Sequence, residues 1–432
     1  MDNARKEAYI AILQYELISA FGCTEPAAVA FAAARAAEIL EKKPEVIELA
    51  CSGSIIKNVH SVTIPNADGL KGVTAAAALG AAVGSAEKQL CILEDVAPEQ
   101  IARARRLLAG GACTCSLAKD VDELYIHVRL MGGGETAEVT IEGAHTNVVL
   151  AKRNGETLLQ GESVCRSVPD KSELTLKGAF EFAKECEVAR IAPLMQSQVE
   201  ENAAIAEEGL RGDYGVNVGR SLLELYGRTD VRVRARAAAA AGSDARMSGC
   251  MLPVVINSGS GNQGMTVSLP VAEYAAELGA DRETLYRALA LANLTAILQK
   301  RSLGNLSAFC GAVNAAAGAA CGIAYLMGGG YEDCANIVAY TLGTIGGMFC
   351  DGAKASCAAK ISQALDTALT GLQISMKKRR SFQNGDGLIR ENVEQTIESF
   401  GVVGRDGMRG ANEKILEIML TQGNIGDAVS GL

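Results

Sequence analysis

The hydrophobic period of this chain changes in the middle of the sequence, and that change points to an α+β fold. Leu124-Tyr-Ile-His-Val-Arg-Leu, Thr136-Ala-Glu-Val-Thr-Ile-Glu-Gly and Thr146-Asn-Val-Val-Leu-Ala-Lys alternate apolar with polar residues. Period two is the mark of a half-buried strand. Gly132-Gly-Gly-Glu and Gly143-Ala separate the runs as turns, which predicts a small β-meander. Pro98 to Ala109 reads as a helix beside it. The ends of the chain read otherwise. Residues 5–43 form one long helical stretch interrupted at Gly22 to Pro26, with Thr24 as N-cap and Pro26 in the first turn. A short strand, a glycine–serine turn and an alanine-rich helix from about 71 fill 46–86. From about 170 the pattern is helical to the end, with glycine-rich breaks. The simplest architecture is a mainly helical catalytic domain built from 1–86 and 166–432, carrying an inserted α+β domain at 87–165.

Composition narrows the function classes. The net charge is −9 with both signs mixed, so no basic nucleic-acid face is expected. Aromatics make up 4% and tryptophan is absent, which argues against base-stacking platforms. Residues 306–329 and 335–350 are apolar, but their alanine and glycine content suits close-packed core helices better than membrane spans. Thirteen cysteines without a secretory leader point to a reducing cytoplasm with free thiols rather than a disulfide scaffold. With three histidines, His60, His127 and His145, a Ser–His–Asp hydrolase is poorly supported and the H-E-x-x-H zinc pattern is missing. His127 reads as structural, and His145, in a turn, is left undecided.

Cys310, Cys350 and Cys357 stand among glycine and small residues, which leaves room for something bulkier than a side chain. Iron–sulfur clusters normally take four thiolates, so a cluster on three would leave one iron open as a Lewis acid. Cys350 and Cys357 are seven apart, roughly 10.5 Å along a continuous helix. Convergence therefore requires a break, for which Asp351-Gly352 is suited, with a helix resuming near Ala353. The competing reading is three small buried residues of a tight helical core.

Four further motifs place polar groups in apolar surroundings. In Phe21-Gly-Cys-Thr-Glu-Pro, Cys23 precedes a helix N-terminus, a position that lowers a thiol's pKa; a buried cysteine beside a cap is the alternative. In Cys51-Ser-Gly-Ser-Ile-Ile-Lys-Asn, Ser52, Ser54 and Asn58 could bind a carboxylate or amine, or form a plain polar turn. Asn257-Ser-Gly-Ser-Gly-Asn-Gln-Gly offers Ser258, Ser260, Asn262 and Gln263 on a glycine-rich backbone that could nest an anion. It is neither a P-loop nor a dinucleotide fingerprint. In Ala241-Gly-Ser-Asp-Ala-Arg, Asp244 and Arg246 read as a local ion pair.

Taken together, Gly22-Cys-Thr-Glu-Pro, Ser52-Gly-Ser…Lys57-Asn, Glu142-Gly-Ala-His-Thr-Asn, Asn257-Ser-Gly-Ser-Gly-Asn-Gln-Gly, Cys350-Asp-Gly-Ala-Lys and Asn384-Gly-Asp-Gly resemble the L-cysteine desulfidase family. That family is akin to the alpha chain of iron–sulfur L-serine dehydratases, and the resemblance runs over essentially the full length. It implies a 4Fe–4S cluster with one open iron on Cys310, Cys350 and Cys357, and no pyridoxal phosphate. It places the family's active-site cysteine at Cys23, as proton acceptor or further cluster ligand. The turn at Cys51 departs from the family's wording. The implied reaction is α,β-elimination of L-cysteine to sulfide, ammonia and pyruvate, or of L-serine to pyruvate and ammonia. Soft iron tilts the choice toward the thiolate. The rivals are a zinc enzyme on the same cysteines and a non-catalytic amino-acid-binding or redox-sensing protein. The expected partner is a small amino acid, with no nucleic acid and no membrane; a homo-oligomer is compatible with the sequence.

Overall fold

The computed structural model describes residues 1–161, 168–304, 306–422 and 429–430. It is an α+β protein, mainly helical, in which alanine-rich helices and one mixed sheet share a continuous apolar core. In sheet order the strands are Glu156–Gln160, Val148–Arg153, Glu135–Glu142, Tyr125–Gly132, Val46–Cys51, Cys113–Leu117 and Val429–Ser430. Adjacent strands are antiparallel from Glu156–Gln160 through to Val46–Cys51, and Val46–Cys51, Cys113–Leu117 and Val429–Ser430 are mutually parallel. The register aligns Leu49, Val128 and Val139, and likewise Cys51, Ile126 and Ile141, all buried, so one face of the sheet is apolar. The helix Thr24–Leu40 packs on this face. The helix Val73–Val83 crosses it so closely that a Cβ on Gly80 would lie 2.0 Å from the Ala30 carbonyl oxygen.

The expected meander and the helix Pro98–Ala109 are present. The segment boundary at 87 is not reproduced by the sheet. Val46–Cys51, from outside 87–165, lies between Cys113–Leu117 and Tyr125–Gly132 and hydrogen-bonds to both. An isolated strand before residue 87 would have had no partner for its backbone, and the sheet supplies one on each edge.

The helical part is packed through small residues. Every position from Ala312 to Ala324 of the helix Ala312–Leu326 is buried. A Cβ on its Gly318 would sit 2.4 Å from the Ala292 carbonyl oxygen of the neighbouring helix Arg282–Leu303. The first apolar segment thus contains a closely packed core helix, as expected, whereas in the second, 335–350, only Ile337, Val338, Ala339, Thr341 and Leu342 are buried. Among the described residues no helix is long and apolar enough to cross a membrane, and no two cysteines form a disulfide.

Three expectations need correction. The first helix ends at Glu16, and the chain forms a strand, Ser19–Phe21, before helix resumes at Thr24. Thr24 is inside that helix; Cys23 occupies the cap position without a capping side-chain bond. The region after 170 is not wholly helical, because Pro253–Val255 pairs antiparallel with Ser19–Phe21. This short ribbon brings Gly22-Cys-Thr-Glu beside Asn257-Ser-Gly-Ser.

Candidate functional site

A cavity of about 110 Å³ lies where three irregular segments meet. That is well below the roughly 300–1,000 Å³ of clefts for larger organic ligands, and suits a small molecule. Its walls include Cys23, Asn58, Ser258, Ser260, Asn262, Gln263, Cys310, Cys350 and Cys357, nine of the ten site residues expected from sequence.

The first wall is the start of Thr24–Leu40. Gly22 adopts φ +74°, and a Cβ there would come within 2.5 Å of Pro65, so only glycine makes the turn. The Cys23 thiol donates to Glu25 Oε2 at 3.3 Å, and Asn58 Nδ2 donates to Glu25 Oε1 at 3.0 Å. Thr24 Oγ1 donates to the Gly259 carbonyl at 2.8 Å, tying this wall to the next. Burial and the adjacent Glu25 charge push the Cys23 thiol well above its ordinary value, against the pull of Arg246. The helix end therefore does not produce the lowered thiol expected from sequence. Burial would raise Glu25 too, but His145 and the hydrogen bonds from Cys23 and Thr24 bring its carboxyl below the usual range.

The second wall is the turn 257–260 and the start of the helix Gly261–Leu278. Asn257 and Ser260 exchange backbone hydrogen bonds at 3.1 and 3.0 Å, with Ser258 and Gly259 at positive φ. Ser260 caps the helix, its Oγ accepting from Gln263 N at 3.4 Å. Asn257 faces inward and donates to Asn293 Oδ1 at 2.9 Å. A Cβ on Gly259 would meet His145 at 2.8 Å, and one on Gly261 would meet Arg246 Cζ at 2.2 Å, so both glycines clear space for those side chains.

The third wall carries the cysteines. Phe309 and Phe349 form an isolated antiparallel bridge, in which Cys310 N donates to Met348 O at 2.8 Å and Cys350 N donates to Ala308 O. This sets Cys310 and Cys350 on adjacent segments. The expected break follows: Gly352 takes φ +94°, where a Cβ would be 2.4 Å from the Lys57 carbonyl oxygen. The next helix, Ser356–Lys378, starts three residues later than expected and carries Cys357 in its first turn. Asp351 pins the intervening turn through Lys354 at 2.6 Å and through Lys360. Although burial opposes it, these two lysines hold the Asp351 carboxyl down to about 2. Lys57, buried, donates to Cys350 O at 3.1 Å.

Burial and the neighbouring Cys350 raise the Cys310 thiol to about 12, while the Ala312 N–H and Lys360 act against them. Burial likewise raises Cys357, against the Lys354 N–H and the charges of Lys354 and Lys360. Lys300 also lines the cavity, and burial lowers it to about 8 despite Cys350, Cys310 and Glu25. The thiols thus face backbone N–H groups and lysines, surroundings that fit an anionic thiolate-bound group. Among the described residues no three His, Cys, Asp or Glu side chains close on a single-ion position.

Ser52 is the one expected residue away from the cavity. It caps the helix Gly53–Val59, accepting from Ile55 N at 3.4 Å and donating to Glu123 O at 2.7 Å. Its carboxylate- or amine-binding role gives way to a strand-to-helix junction. Sequence reading missed Glu25, Arg246 and Lys300 and left His145 undecided; all four line the cavity. Asp244 and Arg246 do not pair. Asp244 Oδ2 accepts from Gly219 N at 3.1 Å, and burial raises its carboxyl to about 6. The available signal for Arg246 was a charge near the end of an alanine-rich helix, shortly after the run of small residues from Ala237 to Ser243. Six buried polar atoms of the cavity lack a hydrogen-bond partner: Asn58 Oδ1, His145 Nε2, Arg246 Nη1 and Nη2, Asn262 Oδ1 and Gln263 Oε1. Buried polar groups are ordinarily paired, so this concentration marks a place where a ligand completes them.

A family model described as serine dehydratase alpha chain matches residues 87–417. The chain is 44% identical over 413 residues to a UPF0597 protein of Lachnoclostridium phytofermentans, covering 95% of this chain and 99% of that one. It is 43% identical over 419 residues to a UPF0597 protein of Desulfitobacterium hafniense, covering 96% and 97%. A third, from Treponema denticola, is 41% identical over 431 residues, covering 97% and 99%.

Proposed function

Since the chain belongs to the serine dehydratase alpha-chain family, a lyase family, we propose that it is an iron–sulfur lyase that eliminates the β-substituent of L-cysteine, giving sulfide, ammonia and pyruvate. The observation that carries this reading is the placement of Cys310, Cys350 and Cys357 on one wall of a small cavity whose other walls hold Cys23, Glu25 and the unpartnered polar atoms. These three thiols would hold a 4Fe–4S cluster. Gly311 and Gly352 keep the wall free of side chains, and Lys354 and Lys360 offset thiolate charge. When bound, the cluster supplies an open iron, a Lewis acid toward the leaving sulfur.

The protein's own groups handle the α-proton. The resting Cys23 thiol, raised by burial and by Glu25, must first give its proton to Glu25 along the 3.3 Å bond, an uphill step, before the Cys23 sulfur takes the proton from the substrate's α-carbon. Arg246 favours the transient thiolate. The C–H electrons form the Cα=Cβ bond and the C–S electrons leave with sulfide. The resulting enamine tautomerises and is hydrolysed by water to pyruvate and ammonia.

L-Serine is the second reading, favoured by the name of the matched family. Anaerobic, cluster-reconstituted protein given each amino acid decides: sulfide and pyruvate from cysteine support the proposal, and pyruvate from serine alone transfers it to dehydration. Neither product at full iron occupancy overturns the lyase reading and leaves a binding or sensing role.

A further inference from the structure

Arg246, only 2% exposed, is the penultimate residue of the helix Val231–Met247, with neither Nη1 nor Nη2 hydrogen-bonded. No ion pair involving it occurs among the described residues, and Asp244 on the same helix is engaged with Gly219. Burying a guanidinium unpaired is costly, so a site that keeps one is built for an anion. The guanidinium lies against Gly261, where a Cβ would stand 2.2 Å from Cζ, at the N-terminus of an 18-residue helix. Its first-turn N–H groups have no carbonyl partner within the helix, so two sources of positive potential meet at one point. The cavity also holds the oxygens Asn58 Oδ1 and Gln263 Oε1, without partners, and the Glu25 carboxylate, whose charge acts on Arg246 without a hydrogen bond. Those are acceptors suited to an ammonium group.

We propose that Arg246, seated on Gly261, is the anchor for the substrate's α-carboxylate, and that the site selects free α-amino acids and rejects their carboxyl-blocked or decarboxylated analogues. A planar guanidinium offers a carboxylate two parallel hydrogen bonds, which a lysine cannot reproduce. The proposal rests on the lyase reading only in taking an amino acid as the ligand.

The test uses cluster-loaded protein and calorimetric binding of L-alanine, which has no leaving group, against L-alaninamide. Wild type should bind L-alanine at least about 10-fold more tightly than the amide. Arg246→Met should weaken L-alanine by about 100-fold while leaving L-alaninamide unchanged, and Arg246→Lys should recover only part of the loss. Gly261→Ala, which displaces the guanidinium, should reproduce the effect in part. Iron content and melting temperature check that each variant is folded and loaded. The anchor is overturned if wild type binds both ligands equally, or if folded Arg246→Met binds L-alanine as wild type does or loses both ligands alike. Equal binding of the two ligands by wild type overturns the anchor without any variant, and Gly261→Ala tests Arg246 even if Arg246→Met does not fold. Discrimination by wild type that is lost in folded Arg246→Met, without pyruvate from cysteine or serine, would uphold the anchor and sink the lyase reading; pyruvate formation with an unchanged KM in Arg246→Met would do the reverse.

Discussion

Two cysteine pairs in this molecule invite comparison. Cys321 and Cys334 face each other across two regular helices, each thiol donating to the other residue's carbonyl oxygen, at 3.6 and 3.8 Å. Cys310 and Cys350 face each other across two irregular segments joined by a bridge of one residue pair. Burial is the largest cause raising both Cys321 and Cys310, followed by the proximity of a second sulfur. What differs is the far side. Cys321 and Cys334 are fully buried in the apolar core, whereas Cys310 and Cys350 border a cavity with Cys357, Lys300 and Gly311. Thiol burial alone therefore does not mark a functional cysteine. The mark is irregular backbone, which turns N–H groups and space toward the sulfur.

Substitutions can break or sharpen that contrast. Cys357→Ser, and equally Cys310→Ser or Cys350→Ser, should abolish iron retention and pyruvate formation, because a hard oxygen replaces a soft ligand; iron and labile-sulfide assays check this. Cys23→Ser should keep the iron and lose about 10²- to 10⁴-fold in turnover, the worth of a positioned proton acceptor. Iron loss in that variant would instead make Cys23 a ligand. Cys321→Ala should keep iron and turnover and lower unfolding stability by about 1–2 kcal/mol through the small cavity left behind, read from denaturant melts. Loss of iron there would erase the distinction between the pairs.

The smallest effect concerns Asp244, a buried charge that faces neither pair. Its carboxyl is raised to about 6, so the folded state holds its proton more tightly than the unfolded chain does. The stability it contributes is complete below the unfolded value and is lost as pH rises through about 6. Asp244→Asn should accordingly be neutral near pH 4.5 and stabilise by up to about 1 kcal/mol at pH 7.5, visible as a small rise in melting temperature.

Sequence revealed regular elements and missed the contacts that assemble the site. The strands Tyr125–Gly132 and Glu135–Glu142 show their period because eight residues give several alternations. Ser19–Phe21 and Pro253–Val255 are three residues each, too short for any period, and pair across most of the chain. Val46–Cys51 was legible as a strand, but its place inside the sheet depends on partners beyond residue 110. The cysteines stood out through their small neighbours. Arg246 did not, because Asp244 nearby offered a cheap local partner; only the packed helix shows the two side chains parted. Ser52 looked like a ligand group because a helix cap and a binding hydroxyl use the same residue type.

The ribbon of Ser19–Phe21 with Pro253–Val255 also sets a timetable. Cys23 leaves the ribosome early, whereas the cysteine wall is complete only after Cys357 is made. At about 5–20 residues per second, the early strand waits roughly tens of seconds with its backbone edge unsatisfied. Nascent chains truncated before residue 253 should therefore be prone to aggregate. A cluster on these three cysteines could be completed only after Cys357 has been made.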